Sequence, residues 1–164
     1  MANPIYAWLK DKEGKEIKGS VTVHGREGSI EVLSQQHGLT LPYDPSSGKA
    51  SGLRVHTPFV FTKALDSSST LLLKALSDNK ELMEATFRWY DSSKGEVQEV
   101  EYYRVVLKDV RVVSIQAKTD NFKDPASQNI YPMEEIQLAY REIEWTFVEG
   151  NLIHDDKWDT RQTS

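Results

Sequence analysis

Residues 55–82 read VHTPFVFTKALDSSSTLLLKALSDNKEL, and the fold turns on how this stretch is parsed. His56 to Leu65 is rich in Thr, Val and Phe, with Pro58 near its start, which predicts a strand carrying Phe59 and Phe61 on one face. Asp66 and the serines behind it stop that strand. Their side-chain oxygens can accept from the free N–H groups of a helix start, so Asp66 and Ser67 are the expected cap of a helix from about Ser69 to Ser77. Leu72, Ala75 and Leu76 fall on one side of it, and the apolar Leu71 and Leu73 predict a wide buried stripe. No other stretch makes a convincing helix.

On the N-terminal side, Ile5, Ala7 and Leu9 alternate with Tyr6, Trp8 and Lys10, and Asp11 to Gly14 supplies a turn. Ile17 to Val23 alternates again, so the two segments predict a β-hairpin. Ser29 to Leu33 is a third strand. Between them, GREG at 25–28 has the form of the glycine loop of a KH domain, but that loop needs flanking helices and this one lies between strands.

Leu39 to Thr57 changes character, with Pro42, Pro45, Gly48 and Gly52 and almost no periodicity. It predicts a long loop, and loops of this length in a compact domain are usually functional or disordered. Because Tyr43, Leu53 and Val55 are apolar enough to dock, the loop is expected to be an arm that contacts a partner.

Beyond the helix, Met83, Ala85, Phe87 and Trp89 form one face of a strand that the DSSKGE turn at 91–96 closes. Glu99 to Ile115 is a long strand whose apolar phase changes. Tyr103, Val105 and Leu107 are odd-numbered, whereas Val110 and Val112 are even, which requires an extra residue or a sharp coil near Lys108–Asp109. The same break recurs at Arg141–Glu142, between Ile136, Leu138 and Tyr140 and the odd set Ile143, Trp145 and Phe147. Two long strands with phase breaks predict strands shared by two sheets, or one sheet curling on itself: a β-barrel or tight sandwich with one flanking helix. Thr119 to Glu135 is expected to be a second long loop. Residues 1–164 form one domain, in which 150–164 is a fraying tail. Tyr102 and Val106 oppose Tyr103, Val105 and Leu107, so this strand offers two apolar faces, and the face not used by the core is a candidate contact with a second copy.

Composition narrows the function classes. The 164-residue chain has no cysteine, which removes disulfides, thiolate metal sites and cysteine nucleophiles. Its net charge of -5 argues against a phosphate-binding surface. The N-terminus meets charge after a few apolar residues and predicts no signal peptide. No apolar run approaches the roughly 20 residues that cross a bilayer.

Candidate chemistry is sparse. His154, Asp155 and Asp156 form a metal-like triplet, yet neighbours on an extended chain point to opposite sides, and the triplet reads as a polar tail. Glu134–Glu135 and the Glu142, Glu144 pair read as solvated carboxylates. Ser67 to Ser69 lacks a GxSxG elbow, Lys74 is not at SxxK spacing, and the four histidines lack HExxH spacing. No catalytic residue, cofactor or metal site is expected.

The runs IKGSVTV, HGREGSIEVLSQQHGL, RVHTPFVFTKALDSSSTLLLKAL, YYRVVLKDVRVVSI and IQLAYREIEWTFVEGNLI resemble the hemolysin-coregulated protein (Hcp) family of bacterial type VI secretion systems, over about Ile5 to Asp156. The most specific part is the opening stretch, with His, Pro, a short strand, Thr-Lys, then Asp and a Ser pair leading into the helix. Thr70 stands where the family commonly has Pro, a preference of the first helical turn. The resemblance implies a two-sheet β-barrel with one flanking helix, six copies closing into a ring, and rings stacking into a tube driven out of the cell by a contractile sheath. It further implies a valine-glycine repeat spike protein at the tip, effectors carried in the lumen, export from the bacterial cytoplasm without a signal peptide, and a structural subunit with no appended toxin domain. Within that frame the expected assembly residues are Tyr43, Asp44, Leu53, Arg54 and Val55 in the arm, with Tyr102 and Arg104 on the two-faced strand. The alternatives are a monomeric β-barrel that binds a small ligand or carbohydrate, and a hydrolase built on His154, Asp155 and Asp156.

Overall fold

The computed structural model describes residues 3–93 and 99–158. In chain order the described strands are β1 (Ile5–Asp11), β2 (Glu16–Ile17), β3 (Ile30–Val32), β4 (Ser34–Gln36), β5 (Leu39–Thr40), β6 (Val55–His56) and β7 (Phe59–Ala64). Helix α1 (Ser69–Ser77) follows, then β8 (Glu81–Asp91), β9 (Val100–Lys118), β10 (Met133–Ala139), β11 (Glu142–Phe147) and β12 (Leu152–Lys157). Ten of these strands join in one antiparallel sheet ordered β2-β1-β8-β9-β10-β7-β4, with β3 on β1 and the β11–β12 hairpin on β9; β5 and β6 form a separate ribbon. The chain is mainly β, and α1 is the one α-helix among the described residues. The strands form two sheets, and the larger curls around the core. Residues 30–36 bridge its ends: β3 pairs with β1, the Leu33 N–H donates to the Thr62 carbonyl at 2.7 Å, and β4 pairs with β7.

Both phase breaks expected from the sequence are present, and they face each other. The first half of β9 pairs with β11 as far as Lys108, and the second half pairs with β10 from Arg111. Between them Asp109 adopts φ +53°, and the β9–β10 register slips again at Gln137/Leu138. Opposite this bend the chain turns from β10 into β11, and the Arg141 N–H donates to the Lys108 carbonyl at 3.1 Å. The extra residue lets Leu107 and Val110 both point inward, which period two alone forbids.

The interior is filled by Leu9, Ile30, Phe59, Phe61, Phe87, Leu107, Ile136, Leu138 and Ile143, with the Phe59 and Phe87 rings 4.3 Å apart. Leu72 and Ala75 bury the inner side of α1, whereas Leu71 and Leu73 are exposed. The expected wide stripe is therefore a narrow one, because among the described residues the helix packs mainly on β9. Met83 is also exposed. Leu82 pairs with Asp11 and Glu84 with Lys10, so Met83 is the extra residue of a bulge and turns out of the face predicted for it.

Other expectations need correction. The strand expected at 17–23 ends at Ile17, since the edge of β1 beyond it is taken by β3. Residues 19–21 fold back instead onto Gly28 and Ser29, so closely that a Cβ on Gly19 would lie 2.4 Å from the Ser29 carbonyl oxygen. The GREG arginine is buried: Arg26 lies 3.7 Å from the Tyr90 ring centroid and pairs with Glu99. The expected tail at 150–164 is a strand through Lys157, because β11 offers a free edge on which β12 completes a six-residue ladder. Residues 159–164, and 94–96 of the DSSKGE turn, lie outside the described residues. In the second long loop, Pro125–Ser127 makes a 3-10 turn capped by the Asp124 carboxylate, and β10 begins at Met133.

Candidate functional site

The 39–57 segment is no irregular loop. Leu39 pairs with His56 and Thr40 with Val55, Tyr43 bridges to Ala50, and the tip closes with Asp44 and Lys49 joined by a 2.8 Å backbone hydrogen bond. It is a β-ribbon whose prolines and glycines break the alternation that would have revealed it. Asp44 shapes the tip: its carboxylate accepts from the Ser46 hydroxyl and N–H and from the Ser47 hydroxyl at 2.8–3.1 Å, bonds that lower its pKa. Tyr43, Leu53 and Val55 are all at least half exposed, as is Leu41, and Leu39 is nearly so.

Arg54 behaves differently. Its guanidinium donates to Asp156 through Nε at 2.5 Å and Nη2 at 2.7 Å, a bidentate pair that fixes the arm to β12. Beside it, His56 Nε2 lies 2.9 Å from Asp156 Oδ2, and His56 Nδ1 lies 2.7 Å from the Tyr140 hydroxyl. The same hydroxyl lies 2.7 Å from His37 Nε2. Trp158 stacks on the His56 ring at 5.5 Å, and His37 sits against Phe59 and Trp145. Five polar groups thus form one chain, Arg54–Asp156–His56–Tyr140–His37, that ties both roots of the arm to the β10–β11 corner and to β12.

Arg54 draws the Asp156 carboxyl below the ordinary carboxylate range, an effect that burial partly opposes and His56 reinforces. Burial, then Asp156, pushes the Tyr140 phenol far up, so it stays protonated. Burial, then neighbouring His56, lowers His37. His56 and Tyr140 are buried, and Arg54, Asp156 and His37 partly so; the geometry holds a joint together. His154 is not with them but stacks on Trp145 at 5.8 Å, so the His154, Asp155, Asp156 triplet is split between opposite faces. Among the described residues no group of three or more His, Asp or Glu is arranged to hold a metal.

Tyr102 and Arg104 lie apart from this joint. Arg104 pairs across the sheet with Thr146, toward the other end of β11 from Ile143, which pairs with Asp156. Its guanidinium is held by Glu101 at 2.6 Å, and Tyr102 is half-buried.

At the helix start, Asp66 accepts from the Ser68 N–H at 2.9 Å and from the Ser68 hydroxyl, while the Ser69 hydroxyl accepts from the Asp66 N–H at 3.0 Å. Neither Asp66 nor Ser67 is the expected side-chain cap: the N-cap residue is Ser68, which makes no side-chain cap hydrogen bond, Asp66 instead closes the turn before it, and the Ser67 hydroxyl donates to the Lys18 carbonyl at 2.9 Å, because the turn leans on the 18–20 segment. Beneath lies Lys63, with no exposed side-chain surface, bonded to Asp66, Ser69 and the Ala64 carbonyl and ion-paired with the buried Glu134. Glu134 is therefore no solvated carboxylate. Sequence reasoning missed this cluster, and it missed the roles of His37, His56, Tyr140 and Asp156. Their partners lie about a hundred residues away, so no local spacing announces them.

Comparison with known proteins follows the same outline. Residues 6–147 match the family model described as type VI secretion system effector, Hcp. A curated protein of Pseudomonas aeruginosa named major exported protein is 35% identical over 167 residues, covering 96% of each chain. Among solved structures, a double mutant of the Hcp1 protein from the E. coli EAEC 042 pathovar is 44% identical, with TM-score 0.85 over 96% of this chain and 99% of that one. The secreted protein Hcp3 of Pseudomonas aeruginosa is 25% identical, with TM-score 0.78 over 97% and 100%.

Proposed function

Since the chain belongs to the Hcp family of type VI secretion proteins, we propose that it works as a tube subunit whose copies close into six-membered rings that stack head to tail. The observation that carries this reading is the arm: a ribbon with Leu39, Leu41, Tyr43, Leu53 and Val55 turned to solvent, yet anchored at its roots by Arg54, His37 and His56. A mobile loop could leave such residues exposed at little cost, but a fixed apolar ribbon fits a neighbour that covers it.

Ring closure needs a heterologous interface whose rotation closes, and stacking needs a second one that repeats along the axis. Tyr43, Asp44, Leu53 and Val55 serve the arm contact in this reading, with Arg54 setting its angle. Tyr102 and Arg104, on a half-buried outer face, serve the contact between neighbours within a ring. The tube carries effectors in its lumen, meets a valine-glycine repeat spike protein at its tip and is driven by a contractile sheath. It leaves the bacterial cytoplasm by that route.

Light scattering after gel filtration, with electron microscopy of the same peak, tests this. A ring of six 18.7 kDa subunits is expected. Deleting residues 44–51 should leave a folded protein that stacks poorly; normal stacks from that deletion would remove the arm from the assembly. A chain that stays monomeric at high concentration and under crosslinking would overturn the ring.

A further inference from the structure

One outward row of the sheet formed by β1, β8, β9, β11 and β12 orders its charges strictly. Lys10, Glu84, Lys108, Glu142 and Lys157 stand each opposite the next, and their signs alternate. Opposite charges facing each other across strands stabilise a sheet, whereas like charges destabilise it. Two pairs on the same face break that order. Arg88 stands directly opposite Arg104, and Glu144 directly opposite Asp155.

The two arginines are not alike. Arg104 is held by Glu101 through Nε at 2.6 Å and Nη2 at 3.1 Å. Among the described residues no carboxylate pairs with Arg88. Its guanidinium lies over the Trp8 ring, 4.8 Å from the centroid, and its Nε is buried without a hydrogen-bond partner. The indole thus seats a half-buried cation whose nearest cross-strand neighbour is another cation. What fits this face brings a carboxylate to Arg88 and a cation to Glu144 and Asp155, roughly 10–15 Å away at ordinary strand spacing. A polyanion meets the acidic pair and is repelled. A protein surface of mixed charge meets both conditions, and a chain with 25 acidic and 20 basic residues carries both signs itself.

We propose that Arg88, seated on Trp8, receives a carboxylate from the neighbouring copy in the ring, so that this charge site is complete only after assembly. The proposal rests on the ring reading and extends the contact assigned there to Tyr102 and Arg104, which lie on the adjoining strand β9. It also makes that contact directional. A neighbour turned the wrong way sets its carboxylate against Glu144 and Asp155, so the pattern selects the rotation that closes.

Light scattering after gel filtration, at matched concentrations, compares the wild type with Arg88→Glu and with Lys74→Glu, which makes the same charge change on α1. Arg88→Glu should need at least about tenfold more protein to close, a tenfold shift in the association constant. Lys74→Glu should close like the wild type. Normal closure by Arg88→Glu, or equal weakening in both variants, overturns the site and leaves the ring standing; a wild type that never closes overturns ring and site together. Should Arg88→Glu fail to fold, Arg88→Lys decides, because it keeps the charge and should still close. In rings mixed from isotope-labelled and unlabelled chains of this variant, a water-soluble carbodiimide should join the introduced amine to a carboxylate of the other copy, and mass spectrometry reads crosslinks that carry both labels. Closed rings without such a crosslink, or a folded Arg88→Lys that never closes, would sink the proposal.

Discussion

Arg54 and Asp156 stand 102 residues apart in sequence and are joined by two hydrogen bonds of 2.5 and 2.7 Å. Arg54 directly precedes β6 in the arm and Asp156 lies on β12, so the pair fixes how an otherwise exposed ribbon leaves the body. Removing the guanidinium by Arg54→Ala should free the arm with little change in the melting of the barrel, whose core is elsewhere. Exchange across 39–57 should rise and assembly should weaken. A variant that unfolds cooperatively at much lower temperature would mean that the pair supports the whole domain.

Lys63 and Glu134 form a pair with almost no exposed surface. Lys63 also pairs with Asp66, so it is loss of the lysine that strands a charge in the core, and Lys63→Met should cost about 3–5 kcal/mol. Lys63→Met with Glu134→Leu removes both charges and should recover much of that loss, although Asp66 and Ser69 lose a partner. Urea midpoints of the two variants decide the matter: equal destabilisation would show that the cost came from packing and not from the stranded charge.

Asp66→Ala removes the acceptor for the Ser68 N–H and one partner of Lys63. The expected loss is about 1.5–3 kcal/mol, the range for a hydrogen bond to a charged group. Ser67→Ala should cost less, because its hydroxyl serves Lys18 and Ser20 at an exposed contact. Thermal melts that rank the two variants in the opposite order would show that the Ser67 contact with the 18–20 segment holds the turn more than Asp66 does.

Asp156 sets the acid limit of the joint. Its folded pKa lies below its unfolded one, chiefly through Arg54. Such a group contributes stability that is fully present above the unfolded value, about 3.9, and is lost as pH falls through the folded value. Melting temperature should therefore decline below about pH 4 more steeply in the wild type than in Asp156→Asn. Parallel curves would assign the acid transition to other carboxylates.

Much of the barrel was legible residue by residue. The switch from odd to even apolar positions around Lys108–Asp109 announced the bend at which β9 passes from β11 to β10. The Asp66–Ser69 cluster placed the start of α1, whose bounds are Ser69–Ser77. Met83 leaves the face its alternation predicts because a bulge inserts one residue against a partner strand that local alternation cannot see. The arm reads as a loop in sequence because ladders of two residue pairs leave no period. For Tyr43, Leu53 and Val55, apolar character in a polar stretch signalled surface contact, while Arg54 among them gave no hint that it turns inward to Asp156.

By itself the sequence determined the class: alternating strands, two phase breaks, one helix and a family resemblance carried by contiguous runs. These are properties of period and local hydrogen bonding, which neighbouring residues set among themselves. Only the tertiary structure decided which polar residues meet. His37 reaches Tyr140 across 103 positions, and Arg54 reaches Asp156 across 102. Nothing in the local chain distinguishes a histidine that will share a buried phenol from one that will face water. The curl of the sheet brings the arm roots, the β10–β11 corner and β12 to one place, and burial there turns ordinary side chains into a joint.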